Sequence, residues 1–380
     1  MISGTVFSQN VDEIIEKHIK AHGGMKNWEK VQNMKITGYS TTFSERKPFT
    51  ELKARGNKYY SSFYLGLQNV TEGSDGNFYW TDNPWFELPF ARQLSPVEEN
   101  VVRQKSEFCT PFFNYKEKGY QVKLDGKEEK EGVEVFKLTL TKDNGQTETW
   151  FLNSETYLEF MNVTEWADFT TPVQQEAFFD DFRKLGDIII PFYYERVFDS
   201  RINSTEIESV ELNVEPYPEI FKLPVSEPMK KLGFMAGKWD VAFEAMGRTG
   251  TMDFFDSTTS VINYVENKNI LVETISYARF LPVEKNITWT YSNEQKNYLM
   301  TAFNDVYSST DVLQGSFQGD SLIFDNSLIS FTKDSDKKTF TKYIYSQIKP
   351  EGFVFEMAST RDGGVNWRVT QRFTYTRKKD

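Results

Sequence analysis

The sequence predicts a mainly β protein with a few helices, arranged as two domains. Three observations carry that reading. Aromatic residues make up 16% of the chain (33 Phe, 19 Tyr and 8 Trp), and such side chains suit the pleated, half-buried face of a sheet. Short alternating or β-rich runs recur between Asn, Asp and Gly turns along most of the length. Charge divides unevenly: residues 226–380 hold 19 basic and 19 acidic side chains, so residues 1–225 hold the entire net −11. That shift falls at a proline-bearing stretch, Pro216 to Pro228, and sets the expected domains at 10–224 and 225–380.

In the first domain, Val11, Ile14, Ile15, His18 and Ile19 share one face of an amphipathic helix over Val11 to Ala21, ended by Gly23-Gly24. Met25 to Asn33 reads as a second short helix carrying Trp28 and Val31. Strands are expected at Lys35 to Phe43, Phe49 to Gly56, Lys58 to Leu65 and Asn77 to Thr81. Ser95, Pro96 and Glu98 form an N-cap, an N1 proline and a capping box, so a helix should run to Phe108. Further strands follow at Tyr120 to Leu124, Val133 to Thr141, Gln146 to Asn153, Tyr157 to Thr164, Ile188 to Phe198 and Ile207 to Asn213. The second domain reads as an apolar lead-in, Met229 to Met235, and then eleven short strands between Lys238 and Thr376, the spacing of an antiparallel barrel or sandwich.

The negative charge disfavours nucleic acid and anionic lipid surfaces as partners. The single cysteine, Cys109, cannot form an intrachain disulfide, so the fold must rest on its core. No run of about 18 apolar residues offers a helical membrane span. Ile2 to Gln9 reads as the tail of a signal peptide, which places the expected protein in the periplasm or outside a bacterial cell.

Four pieces of the first domain occur in order: Val11-Asp12-Glu13-Ile14-Ile15…His22-Gly23-Gly24 with Met34-Lys35-Ile36-Thr37-Gly38; Ser74-Asp75-Gly76-Asn77-Phe78-Tyr79-Trp80; Gly119-Tyr120…Val133-Glu134-Val135-Phe136-Lys137-Leu138…Trp150-Phe151-Leu152…Thr156-Tyr157-Leu158; and Gly186-Asp187-Ile188…Pro191 ending in Asn213…Phe221-Lys222-Leu223-Pro224. Together they resemble the lipoprotein-sorting carriers of LolA/LolB type over residues 11–224. The resemblance implies an open antiparallel half-barrel, helices plugging its concave face as lids, and acyl chains held in the cavity. In the second domain, Gly237-Lys238-Trp239 opens the first strand, Arg372 and Arg377 lie on the last, and Asp362-Gly363-Gly364…Trp367 precedes it. This is similar to calycin barrels, and to their nitrobindin-like subgroup, over about residues 230–380. The resemblance implies that Trp239 closes the barrel base under a cationic side chain.

No catalytic constellation assembles from these residues. His18 and His22 have metal-binding spacing, but no third histidine exists and the nearby acids are ordinary helix-face residues, so a half-buried or solvated face and no metal are expected. Residues 224–380 contain no histidine, so the axial ligand of a haem is missing and no cofactor is expected. Gly319-Asp320-Ser321-Leu322 lacks a nearby base and reads as a hairpin turn. Asp180-Asp181, Asp334-Ser335-Asp336 and Asp143-Asn144-Gly145 read as solvated turns, and Cys109 as core packing.

Aromatic clusters remain, placed beside loops or helices rather than inside strand runs: Trp80, Trp85 and Phe86; Phe108, Phe112, Phe113 and Tyr115; and Phe178, Phe179 and Phe182, to which Trp150 is added. They are the candidate lining and lid of an apolar cavity, with plain core as the competing reading. The expected function is a non-catalytic carrier of an acyl chain, a lipoprotein lipid or another hydrophobic small molecule in the cell envelope, with an envelope protein as a possible partner. A solidly packed structural or protein-interaction module is the alternative, separable by cavity volume. An enzyme is the least supported class.

Overall fold

The computed structural model describes residues 10–88, 90–215, 218–265, 269–277, 283–304, 309–327 and 339–378. The expected signal-peptide tail and Asp334-Ser335-Asp336 lie outside them. The chain divides into two compact units, one ending at Leu223 and one beginning at Pro224.

The first unit opens with helices α1 (Val11–Ala21) and α2 (Met25–Glu29). Strands β1 (Asn33–Thr42), β2 (Glu45–Ala54), β3 (Lys58–Leu65), β4 (Gln68–Asp75), β5 (Tyr79–Asp82) and β6 (Arg92–Gln93) form one antiparallel meander. Helix α3 (Pro96–Ser106) leads to a second meander: β7 (Gln121–Lys130), β8 (Val133–Thr141), β9 (Thr147–Asn153), β10 (Glu159–Asp168), β11 (Thr171–Leu185), β12 (Ile188–Phe198) and β13 (Arg201–Leu212). Antiparallel pairing of β1 with β13 joins the meanders into one sheet of thirteen strands, with β6 and β7 at its edges.

The sheet curves. Helix α3 packs against β3, β4 and β5 on one arm and β10 on the other, which a flat sheet of this width cannot allow. Its capping box is present: Ser95 Oγ accepts from the Glu98 backbone, and Glu98 accepts from the Ser95 N–H. On one arm, Lys105 Nζ lies 2.7 Å from Glu72 of β4. On the other, Gln104 donates to the Glu165 carbonyl of β10 at 3.0 Å. Helix α1 lays Ile14 and Ile15 on Phe136, Leu138, Leu140 and Leu152 of β8 and β9. Trp28 of α2 sits over Met34, Ile36, Ile190 and Ile207 at the centre. Gly23 is needed where α1 ends: its φ is +100°, and a Cβ there would meet the Asp187 carbonyl at 2.2 Å.

Several expected elements differ. Helix α2 stops at Glu29 rather than Asn33. Strand β4 occupies a stretch with one strongly apolar residue, Val70, and β11 runs fifteen residues through Asp180-Asp181. Phe178, Phe179 and Phe182 therefore lie within a strand, not beside one. Pairing on both flanks imposes the strand where composition alone does not.

The second unit begins with a short helix α4 (Glu227–Lys230) and a turn carrying Leu232 and Met235. It then forms a closed antiparallel barrel of ten strands. These are β14 (Gly237–Met246), β15 (Met252–Tyr264), β16 (Ile270–Tyr277), β17 (Val283–Ser292), β18 (Asn297–Asn304), β19 (Ser309–Gln318), β20 (Ser321–Asp325), β21 (Phe340–Lys349), β22 (Gly352–Thr360) and β23 (Arg368–Arg377). Two expected strands, Thr249 to Asp256 and Ser260 to Glu266, merge into β15. Pairing of β14 with β23 closes the barrel and removes its edges.

Aromatics fill the barrel interior, with Trp239, Trp289, Tyr343, Tyr345, Phe324 and Phe355 fully buried. Trp239 meets Phe353 and Tyr375 edge-on and donates its Nε1–H to the Met235 carbonyl at 2.7 Å. The Arg377 guanidinium lies 4.3 Å from the Trp239 ring centre and donates to the carbonyls of Pro350 and Ala236. Gly237 leaves room for it, because a Cβ there would lie 2.5 Å from Arg377 Nη1. Arg372 turns away from Trp239 to Glu356 and Glu244, so of the two arginines only Arg377 covers the ring.

Trp239→Ala should cost the barrel about 3–5 kcal/mol, as for other buried tryptophans. Urea unfolding followed on both units should show the barrel transition shift while that of the first unit stays in place. A loss below about 1 kcal/mol would assign Trp239 to the periphery.

Candidate functional site

Strand alternation aims one residue in two at the concave face. Asn162, Thr164 and Trp166 of β10, Gln175, Ala177 and Phe179 of β11, and Tyr194, Arg196 and Phe198 of β12 show this period directly, since all line cavities there. Two chambers lie between the sheet and its helices, of about 170 and 230 Å³. They share five lining residues, Glu51, Lys105, Trp166, Tyr194 and Arg196, and so meet at a polar waist. Phe49, Phe63, Val70, Val101 and Phe198 are among the walls of the smaller chamber. Trp28, Ile36, Phe108, Trp150, Phe179 and Ile207 are among the walls of the larger.

The aromatic candidates separate. Phe108, Trp150 and Phe179 line the larger chamber, with Trp150 and Phe179 stacked at 6.0 Å. Phe112 does not line either chamber: it is fully buried, edge-on to Trp150 and His18. Phe113 packs on Trp28 in the core, and the Tyr115 hydroxyl donates to Asp12. These three belong to the support beneath α1 and α2 and not to a lid. Trp80 is core as well, donating to the Phe221 carbonyl at 3.0 Å. Trp85 and Phe86 pack around Phe169 at the rim of the smaller chamber. Phe178 faces the opposite side of the sheet with Val135, Phe151 and Met161, because it neighbours Phe179 in a strand. Phe182 lies edge-on to His22 at 6.1 Å.

The cavity is more polar than the composition of those clusters suggests. Lys142 and Glu148 form an ion pair at 2.7 Å with each side chain 2% exposed, and Trp150 donates to Glu148 at 2.8 Å. Arg196 stacks over Trp166 and Tyr194, and makes no salt bridge among the described residues. Burial, foremost, lowers the pKa of Lys53. The carbonyl oxygens Asn162 Oδ1 and Gln175 Oε1 are buried without a hydrogen-bond partner in the wall of the larger chamber. Burial pushes the Cys109 thiol up to about 12.

A second cluster stands in the same wall. His18 and His22 are both buried, which corrects the expectation of a solvated or half-buried helix face. The third group comes from β10, where Glu159 is buried beside them. His22 Nε2 lies 2.8 Å and His18 Nε2 3.7 Å from the Glu159 carboxylate. Each Nδ1 meets a backbone carbonyl at 2.8 Å, Tyr157 O for His18 and Ile189 O for His22. A carbonyl only accepts, so each Nδ1 carries the proton and each Nε2 faces inward. Thr110 Oγ1 completes the group, 2.9 Å from His18 Nε2. Burial disfavours charge on His22, but Glu159 outweighs it and raises that pKa. Burial also opposes ionisation of Glu159, but His22 and then His18 prevail and hold it at about 2. His18 is lowered to about 4, chiefly by burial. The i, i+4 histidines were visible in the sequence. Their carboxylate was not, because it lies 137 residues beyond His22.

The chain matches no protein-family model and no curated protein sequence. Among solved structures it is similar to a LolA superfamily protein from Nitrosomonas europaea, at 12% identity and a TM-score of 0.39, covering 57% of this chain and 98% of that one. It is similar to a DUF1329 family protein from Desulfovibrio piger at 12% identity and a TM-score of 0.38, covering 56% and 97%. It is also similar to the Pseudomonas aeruginosa MucA/MucB complex structure at 7% identity and a TM-score of 0.20, covering 95% and 93%.

Lys142→Met should cost about 3–5 kcal/mol in urea unfolding, because it strands a buried carboxylate, while Lys142→Met with Glu148→Leu should recover most of that loss. Equal losses in both would deny the pair its coupling. Cys109 in the folded chain should alkylate with iodoacetamide ~10³-fold more slowly than in the denatured chain at mildly alkaline pH, since the thiolate is the nucleophile. Labelling at the denatured rate would show that the thiol is not held protonated.

Proposed function

We propose that the first unit is a non-catalytic binding or carrier domain for an amphiphile with a long acyl chain. The supporting observation is the pair of joined chambers on the concave face, whose walls set aromatic and aliphatic side chains among buried polar and charged ones. An apolar cavity with a few convergent polar groups is the usual form of a small-molecule site. The chain fills the chambers, and an acidic head meets Arg196 and Lys53 near the waist. The chain's −11 net charge thus coexists with cationic side chains inside the cavity. The four sequence pieces that resemble lipoprotein-sorting carriers favour the same reading, and with the signal-peptide-like run Ile2 to Gln9 they favour an envelope location. In the second unit, the packing of Arg377 on Trp239 beside Gly237 supports kinship with calycin barrels. Its filled interior favours a packing or docking role over a second ligand site.

Fluorescence titration of the full chain with a homologous series of fatty acids tests this. Each added methylene should tighten binding about four-fold, the equivalent of about 0.8 kcal/mol, until the chambers are full. Added salt should change the affinity little, because buried contacts are weakly screened. Ala177→Phe, which fills the larger chamber, should weaken binding at least ~10-fold by overpacking the site. Absence of saturable binding, or affinity that ignores chain length, would leave the packed-module reading.

A further inference from the structure

The cluster of His18, His22 and Glu159 has a geometry that the ligand reading does not use. We propose that His18 Nε2, His22 Nε2 and a Glu159 carboxylate oxygen bind a divalent transition metal of the zinc class.

Four observations carry this. The donor set is chemically apt, since imidazole nitrogen and carboxylate oxygen are ordinary zinc ligands. The three ligand atoms lie within 4.8 Å of one another. Ligands on a tetrahedral zinc stand about 3.4 Å apart, given bond lengths of about 2.0–2.2 Å. The Nε2–carboxylate separations, 2.8 Å to Oε2 for His22 and 3.7 Å to Oε1 for His18, bracket that value, so the ion is admitted by rotation of the Glu159 carboxylate and a closing of the two rings around it. The rings are also oriented from behind. Donation of each Nδ1–H to a backbone carbonyl fixes the tautomer that exposes the Nε2 lone pair. Finally, His22 Nε2 and Glu159 Oε2 form an imidazolium–carboxylate pair 2.8 Å apart, whose Nε2 proton stands where the metal would take its place.

Three different parts of the chain build the site. The last turn of α1 and the cap residue that follows it set His18 and His22 side by side, and β10 brings Glu159 from the sheet. The turn after α3 brings Thr110, whose hydroxyl bonds His18 Nε2 in the metal-free arrangement and is released when the metal takes that nitrogen. His22, Glu159 and Thr110 all line the larger chamber, so the fourth coordination position opens into it. Three protein ligands with one open position is the arrangement that accepts a water or an exogenous donor.

The proposal does not depend on which amphiphile, if any, fills the chambers, and its test uses no lipid. Full-length protein is stripped with chelator and dialysed against zinc near neutral pH, and the retained metal is counted. One zinc per chain is expected, with a rise in melting temperature as zinc increases. His22→Gln and Glu159→Gln should each weaken retention by roughly 100-fold or more, at or beyond the upper end of what loss of a supporting group alone costs. Circular dichroism establishes that each variant is folded before it is compared. If a variant does not fold, cobalt in the wild-type chain decides, since intense visible absorption marks a four-coordinate ion. Folded wild-type protein that holds no stoichiometric zinc, zinc retained equally by folded variants, or bound cobalt without that absorption would each overturn the proposal.

Discussion

Without the ladder between β1 and β13, the first unit is two separate meanders. Residues 34–41 pair with residues 204–212, so the contact closes almost the whole length of the unit. Such a closure carries a large entropic cost before any burial offsets it. It is sustained by what it brings together. Met34, Ile36, Ile207 and Val210 enter one cluster with Trp28 and Phe108, and that cluster seats α2. The concave face and both chambers require the two arms to belong to one sheet.

Helix α3 performs the complementary task from above. Its side chains reach β4 through Lys105 and β10 through Gln104 and Asn100, and its Val101 and Val102 face the smaller chamber. The sheet supplies the curvature and α3 spans it. The polar waist arises where Lys105 descends between the two arms, near Arg196 and Glu51. The barrel of the second unit solves the edge problem differently. It closes on itself and fills its interior with stacked rings, such as Phe353 on Tyr375 at 4.4 Å and Phe243 on Phe373 at 4.5 Å.

Legibility in the sequence follows local determination. Helix α1, strand β8 and strand β12 occupy the ranges that hydrophobic periodicity and turn residues predict, and the capping box of α3 lies where Ser95 and Glu98 place it. Strands β4 and β11 were invisible because their neighbours impose them. Asn, Asp, Glu and Gly carry little strand preference of their own. The candidate site was legible only in kind. A phenylalanine that supports a cavity wall and one that forms it look alike in sequence, so Phe112 and Phe108 could not be told apart. The polar half of the site escaped for another reason. Lys142, Glu148, Glu159 and Arg196 sit in strands or turns where such residues usually face water, and here they line the larger chamber instead.

The two ends of the thirteen-strand sheet have a consequence for life in a crowded solution. An open sheet offers unpaired N–H and C=O groups along its edge strands, a template on which another extended chain can add. Here one edge, β6, is only two residues long. The other, β7, reads Gln-Val-Lys-Leu-Asp-Gly-Lys-Glu-Glu-Lys and is broken by a register shift between Leu124 and Gly126. Any strand added there must lie beside a row of alternating lysines and carboxylates on a kinked backbone. The open sheet of the first unit is thereby protected from recruiting its own unfolded copies into fibrous assemblies.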